Sequence, residues 1–138
     1  MRVVIDTNVF VGACLGVGAS NAVVGACLQA RVTPLMGTAL LAEYEDVLAR
    51  EALYAKCRLD AQERNALFDA FAACCEWTRV YFLWRPNLRD ESDNHLVELA
   101  IAGGADVIVT RNVRDLRAHQ LRFPFLRVAT PEVFLKEL

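Results

Sequence analysis

Lysine is almost missing from this chain: Lys56 and Lys136 stand against thirteen arginines. Histidine is as scarce, and His95 and His119 do not form a pair at ligand spacing, so imidazole-based metal or triad chemistry has no support. Both are read as surface or interface residues. The five cysteines, Cys14, Cys27, Cys57, Cys74 and Cys75, are odd in number and include no C-x-x-C pair. Their apolar, mostly helical surroundings predict buried free thiols in a reducing compartment, not a disulfide framework or thiolate metal site. A Gly-rich phosphate loop and a G-x-S-x-G elbow are both missing. No apolar run approaches the length that spans a bilayer. Asp6 and Asn8 interrupt the apolar start, which excludes a signal-peptide core there. The expectation is a cytoplasmic protein with no membrane role. Linkers, internal repeats and low-complexity tracts are lacking as well, so residues 1–138 read as one domain.

What is present suits a packed globular chain. Apolar residues make up 55% of 138, enough to build a core without staples. A formal charge of −2 gives no bulk attraction to nucleic acid, so such binding would need a local patch. Arginine, the favoured cation, suits bidentate phosphate contacts, and genome composition explains the bias equally well.

The first ten residues organise the rest. Val3, Val4 and Ile5 form a β-branched apolar run with the composition of a buried strand. Asp6, Thr7 and Asn8 follow at once, residue types preferred at turns and helix N-caps. The strand therefore delivers a carboxylate to its C-terminal end, where open α/β sheets bind ligands. A plain helix cap explains Asp6 equally well on this stretch alone.

Further along, Val9–Leu15 reads as a helix, and Ser20 as the cap of a second over Asn21–Arg31. Thr33–Gly37 is a candidate strand. Thr38 is read as the cap of a helix over Ala39–Arg50, with Leu40, Leu41, Tyr44, Val47 and Leu48 as its stripe and Glu43 beside it. Asp60 caps Ala61–Cys75, and Trp77–Leu83 alternates like a third strand. Ser92 or Asp93 starts a helix stopped by Gly103-Gly104. Asp106-Val-Ile-Val-Thr110 repeats the pattern of the first strand. A short helix around Val113–Ala118, a strand near Leu126–Ala129 and a Thr130-Pro131 helix start close the pattern. Alternating strands and helices predict a three-layer α/β/α sandwich around a central, mainly parallel sheet of about five strands.

Asp6, Glu43, Asp90, Asp93 and Asp115 all fall toward the carboxyl edge of such a sheet. Carboxylates gathered there repel one another unless protonated or bridged by cations. Hard divalent ions such as Mg²⁺ or Mn²⁺ take oxygen ligands, retain water and support phosphodiester cleavage. Asp46, Asp60, Asp69 and Glu98 read instead as capping or solvated residues. A phosphorylated receiver-type domain also gathers aspartates at strand ends, but it needs a lysine after a late strand, and neither lysine is there.

The V-V-I-D-T-N-V start, the glutamate of L-L-A-E-Y-E-D-V-L, the D-E-S-D-N-H-L-V-E-L-A helix and the A-D-V-I-V-T-R-N-V-R-D-L segment together resemble a PIN domain. The closing T-P-E-V-F-L resembles the final strand–helix step of that family, so the likeness covers nearly the whole chain. Its nearest resemblance is to VapC-like toxins of bacterial toxin–antitoxin pairs. The resemblance implies a Mg²⁺- or Mn²⁺-dependent endoribonuclease whose partners are RNA, a small antitoxin protein and a second copy of itself. It carries Asp6, Glu43, Asp93 and Asp115 over as metal-holding catalytic residues, with Asn8, Thr110 and Asn112 supporting them. Asp90, at the same approach to the helix, stands as an assistant or replacement for Asp93. Many relatives have an aspartate where this chain has Asn112. Arg111 and Arg114 near the site, with Arg85 and Arg89 on another loop, are the candidate RNA contacts. A solvated, salt-bridged face explains these arginines equally well. A non-catalytic module that keeps the fold and binds RNA or protein is the alternative reading.

Overall fold

The computed structural model describes residues 1–16, 18–80, 91–116 and 123–138, with backbone alone at 91–94. Five strands, β1 (Arg2–Ile5), β2 (Thr33–Met36), β3 (Glu76–Trp77), β4 (Val107–Val109) and β5 (Arg127–Ala129), form one all-parallel sheet. Their order is β3-β2-β1-β4-β5. The helices are α1 (Thr7–Cys14), α2 (Gly18–Leu28), α3 (Thr38–Ala49), α4 (Ala61–Cys74), α5 (Glu91–Gly103) and α6 (Pro131–Leu135), with a further helical turn at 113–116.

The sequence of the central strands explains their place. Val3, Val4 and Ile5, like Val107, Ile108 and Val109, are buried throughout, as parallel strands covered on both faces must be. The strand order reverses at β1. The chain leaves β1 toward β2 on one side and later reaches β4 on the other. Right-handed crossovers in opposite directions put their helices on opposite faces. Helices α1 to α4 therefore cover one face, where α1 packs on α3 and α2 on α4, and α5 crosses β1, β2 and β4 on the other. Helix α6 docks against α2 and β5. Among the described residues, no single helix is long and apolar enough to cross a membrane.

An aromatic cluster sets the position of α3. Phe10 meets Tyr44 edge to face with centroids 5.7 Å apart, and Tyr44 stacks on Phe68 at 5.2 Å. The Tyr44 hydroxyl donates to the Ile5 carbonyl at 2.8 Å. Since Ile5 ends β1, this bond ties α3 to the residue just before Asp6.

Several boundaries differ from the sequence reading. Ser20 lies inside α2 and caps nothing, because its hydroxyl is taken by Arg111. Thr38 is the first residue of α3, and Gly37 is the cap. A Cβ at Gly37 would sit 3.2 Å from both Leu99 Cδ1 and the Thr78 carbonyl, so close packing selects glycine there. The third strand covers only Glu76–Trp77, and residues 81–83 of its expected span lie outside the described residues. Glu98 is buried rather than solvated.

Other local readings hold. Asp60 and Glu63 form a reciprocal capping box. Gly104, at φ +67°, ends α5, and Thr130 caps α6 with Pro131 at its first position. The cysteines are free, Cys14 and Cys27 buried as expected and Cys57, Cys74 and Cys75 only partly buried. Burial pushes the Cys14 thiol up to about 11 and those of Cys27 and Cys75 up to about 12, too high for a reactive thiolate near neutral pH.

Candidate active site

The register of the two central strands brings the first residues of the site together. Ile5 pairs with Val109, so Asp6 and Thr110 leave adjacent strands side by side. The Asp6 N–H closes the ladder on the Val109 carbonyl at 3.0 Å. This is the crevice beyond the strand ends where the order reverses, the usual ligand position in open α/β sheets.

Asp6 is both cap and hub. Its Oδ1 accepts from the Thr7 N–H at 2.7 Å at the start of α1. Its Oδ2 accepts from the Thr110 hydroxyl at 2.8 Å and from Asn8 Nδ2 at 3.3 Å. The side-chain amide of Asn8 also reaches Thr110 Oγ1 at 3.3 Å, while its Oδ1 accepts from the Arg111 N–H at 3.1 Å. Asn8 thus bridges the ends of β1 and β4.

Glu43 joins the same group. One residue before Tyr44 on α3, it accepts from the Thr7 hydroxyl at 3.1 Å, while Glu45 is exposed. Its other oxygen pairs with His95 Nε2 on α5. The sequence reading places His95 alone at a surface or interface; its side chain is largely buried, 16% exposed, against Glu43. Its Nδ1 has no hydrogen-bond partner among the described residues. Only its place on the helix that begins near Asp93 could have marked it.

Electrostatics separate the two carboxylates. Burial raises the pKa of Asp6, and the charge of Glu43 adds to the effect against the opposing Thr110 and Thr7 hydrogen bonds. Glu43 moves the other way, because the hydrogen bond and charge of His95 hold its carboxyl low against partial burial. One buried carboxylate is disfavoured as an anion beside another kept ionised.

The remaining expected residues are placed less closely. Asn112 donates its backbone N–H to Thr110 Oγ1 at 3.0 Å and its side chain to Asp115 Oδ2 at 2.6 Å. Among the described residues, Asp115 connects to Asp6 through Asn112 and Thr110, and it is exposed. Asp93 lies in the first turn of α5 with its side chain outside the described residues, and Asp90, Arg85 and Arg89 lie outside them entirely. Among the described residues no three Asp, Glu, His or Cys side chains converge enough to share one ion. The expected cluster is thus represented by a two-carboxylate nucleus. That nucleus still fits a hard cation: its ligand atoms are oxygens, and a bound charge would relieve the buried Asp6.

The Arg111 guanidinium is held by buried Ser20 and by exposed Glu132, an ion pair that fits the salt-bridged alternative for these arginines. Arg114 is exposed.

A family model described as a PIN domain matches residues 2–114. The chain belongs to the PIN-domain family. Across nearly its whole length this PIN domain also resembles a solved structure, described as VapBC2 from Rickettsia felis bound to a DNA fragment from their promoter. The TM-score is 0.63 at 17% identity, covering 94% of this chain and 98% of that one, a likeness of fold. No curated protein sequence matches this PIN domain.

Proposed function

We infer that this PIN domain is a Mg²⁺- or Mn²⁺-dependent endoribonuclease and the toxin of a bacterial toxin–antitoxin pair. PIN domains are generally divalent-cation-dependent nucleases. The observation that carries the reading is the buried Asp6 carboxylate at the β1–β4 switch point, beside Glu43 and braced by Thr7, Asn8 and Thr110. Asp6 and Glu43 would hold the ion, with Asp93 and Asp115 completing its surroundings. The ion supplies Lewis acidity and charge neutralisation at the phosphoryl oxygens.

This chain's own residues do the positioning. Thr110 and Asn8 fix the rotamer of Asp6, and Thr7 links Asp6 to Glu43. The hydrogen bond and charge of His95 hold the Glu43 carboxyl below its ordinary range, which favours the anion that would hold a cation. In the reaction water adds to phosphorus, one P–O ester bond breaks, and the leaving oxygen takes up a proton. Exposed Arg114, with Arg85 and Arg89, is assigned to RNA phosphates. A small antitoxin and a second copy of the chain are the proposed protein partners, in the cytoplasm.

The test is incubation of end-labelled single-stranded RNA, and the matching DNA, with purified protein. Internal cleavage of RNA with Mn²⁺ and none with chelator supports the reading; intact RNA under every condition overturns it. A non-catalytic RNA- or protein-binding module is favoured by one observation, the lack of a three-ligand cluster among the described residues. No heat of Mn²⁺ binding near neutral pH would decide for that module.

A further inference from the structure

We propose that Arg111 is a positioning residue for the Asp6 site: its guanidinium, locked onto Ser20 and Glu132, holds the turn after β4 so that Asn8 and Thr110 stay on the Asp6 carboxylate. The kinetic part of this proposal rests on the nuclease reading, and the structural part does not.

The need for an anchor follows from where the sheet stops. Strand β4 ends at Val109, and its last ladder bond runs from the Thr110 N–H to the Ala129 carbonyl at 3.0 Å. Beyond that point side chains hold the backbone. The Arg111 N–H goes to Asn8 Oδ1 at 3.1 Å and the Asn112 N–H to Thr110 Oγ1 at 3.0 Å. Such a turn drifts unless something outside the sheet fixes it.

The guanidinium does so from two directions. Its Nε and Nη2 donate to Ser20 Oγ on α2 at 2.9 and 2.7 Å, and its Nη1 donates to Glu132 Oε1 on α6 at 2.9 Å. Ser20 is fully buried, while the Arg111 and Glu132 side chains are 32% and 53% exposed, so the contact has a buried floor and a solvent-facing rim. Gly12 on α1 makes the room: a Cβ there would lie 2.8 Å from Ser20 Oγ and 3.5 Å from Arg111 Nε. Three helices thus form a socket for one forked cation. A lysine ammonium, a point charge on a flexible stem, cannot span both partners with the same geometry.

The path from socket to carboxylate is short. The turn presents its N–H to Asn8, and Asn8 Nδ2 in turn donates to Asp6 Oδ2 and Thr110 Oγ1, both at 3.3 Å. Releasing Arg111 frees the turn, then Asn8, then the rotamer of Asp6.

The experiment compares wild type with R111A, R111K, S20A and E132Q. In metal-free protein, backbone amide exchange followed by NMR should become at least tenfold faster at positions 111 and 112 in R111A. Amides of β1 should keep their rates. In Mn²⁺-dependent RNA cleavage, kcat should fall at least tenfold with KM within twofold, and R111K should recover only part of the loss. S20A removes one anchor and E132Q takes the charge from the other; both should move exchange and kcat the same way by less, which keeps the test open if R111A does not fold. Unchanged exchange at 111 and 112 overturns the proposal. So does a raised KM with kcat preserved and a salt slope reduced by about one, the signature of a lost phosphate contact. If wild type leaves RNA intact, the nuclease reading fails, and the exchange data still decide the role of Arg111.

Discussion

Replacing Asp6 with asparagine separates its two roles as cap and as ligand. Asparagine caps a helix about as well as aspartate, so its carbonyl oxygen can keep the Thr7 N–H now held at 2.7 Å. The other position now accepts from Thr110 Oγ1 at 2.8 Å and Asn8 Nδ2 at 3.3 Å. An NH₂ there meets two donors, so the threonine hydroxyl must turn and the Asn8 contact is lost, at a cost of about 1 kcal/mol. Against this stands the raised pKa of Asp6, caused first by burial. The native state then holds a proton that the unfolded chain has already released. The contribution of Asp6 to stability is therefore best in acid and falls as pH rises through its native pKa. Above that range wild type carries a destabilisation that asparagine removes. The opposing terms leave the variant within about 1 kcal/mol of wild type at pH 7 in chelator, about 4 °C in Tm for a chain of this size.

Divalent cation should then divide the two proteins. Mn²⁺ at about 100 times its Kd adds about 2.7 kcal/mol to a protein that binds it only when folded, and wild type should show that rise in Tm while Asp6→Asn does not. If the ion contributes about 4 kcal/mol to cleavage, the variant loses about a thousandfold in rate. The assay is a thermal melt with and without Mn²⁺, alongside RNA cleavage. A variant that melts far below wild type in chelator, or that gains the same Mn²⁺ shift, refutes the reasoning.

Three further outcomes follow from the same geometry. His95→Ala removes the group that holds the Glu43 carboxyl low; NMR titration should show its pKa rising, and the stability that the depressed carboxylate gives above its unfolded pKa, lost in wild type as pH falls through the folded value, should no longer appear. Tyr44→Phe leaves the Ile5 carbonyl without the donor now at 2.8 Å, and urea unfolding should report a loss of about 1–2 kcal/mol. Asp60→Ala breaks the capping box with Glu63; it should cost about 1 kcal/mol and leave RNA cleavage unchanged, because the box is a local contact between Asp60 and Glu63.

The parts of the fold legible in the sequence were those with a local chemical cause. The β-branched runs at Val3–Ile5 and Val107–Val109 marked the central strands, because a strand buried on both faces needs nothing polar. Asp60 with Glu63, and Thr130 with Pro131, marked helix starts because capping is a contact between near neighbours. Ser20 and Thr38 failed as caps for a tertiary reason. Arg111, ninety-one residues from Ser20, took the serine hydroxyl, and the close approach of Leu99 and Thr78 put a glycine before α3. The same division runs through the site. Asp6 was legible as an acid leaving a strand, and Glu43 as an acid beside an apolar stripe. The Glu43–His95 pair was not, because it joins α3 to α5 across the top of the sheet and no spacing records that contact. For Arg111 a salt-bridged face was one of two equal readings, and its pair with Glu132 fits it; the bond to Ser20 was hidden, because that partner lies on another helix.

The measurement that bears most directly on the nuclease reading is turnover of one labelled RNA by wild type and Asp6→Asn, prepared alike and assayed side by side in Mn²⁺. The expected result is internal cleavage by wild type, abolished by chelator, and a rate at least a hundredfold lower for a variant that remains folded. Equal rates for the two proteins, or cleavage by wild type that survives chelator, would contradict it.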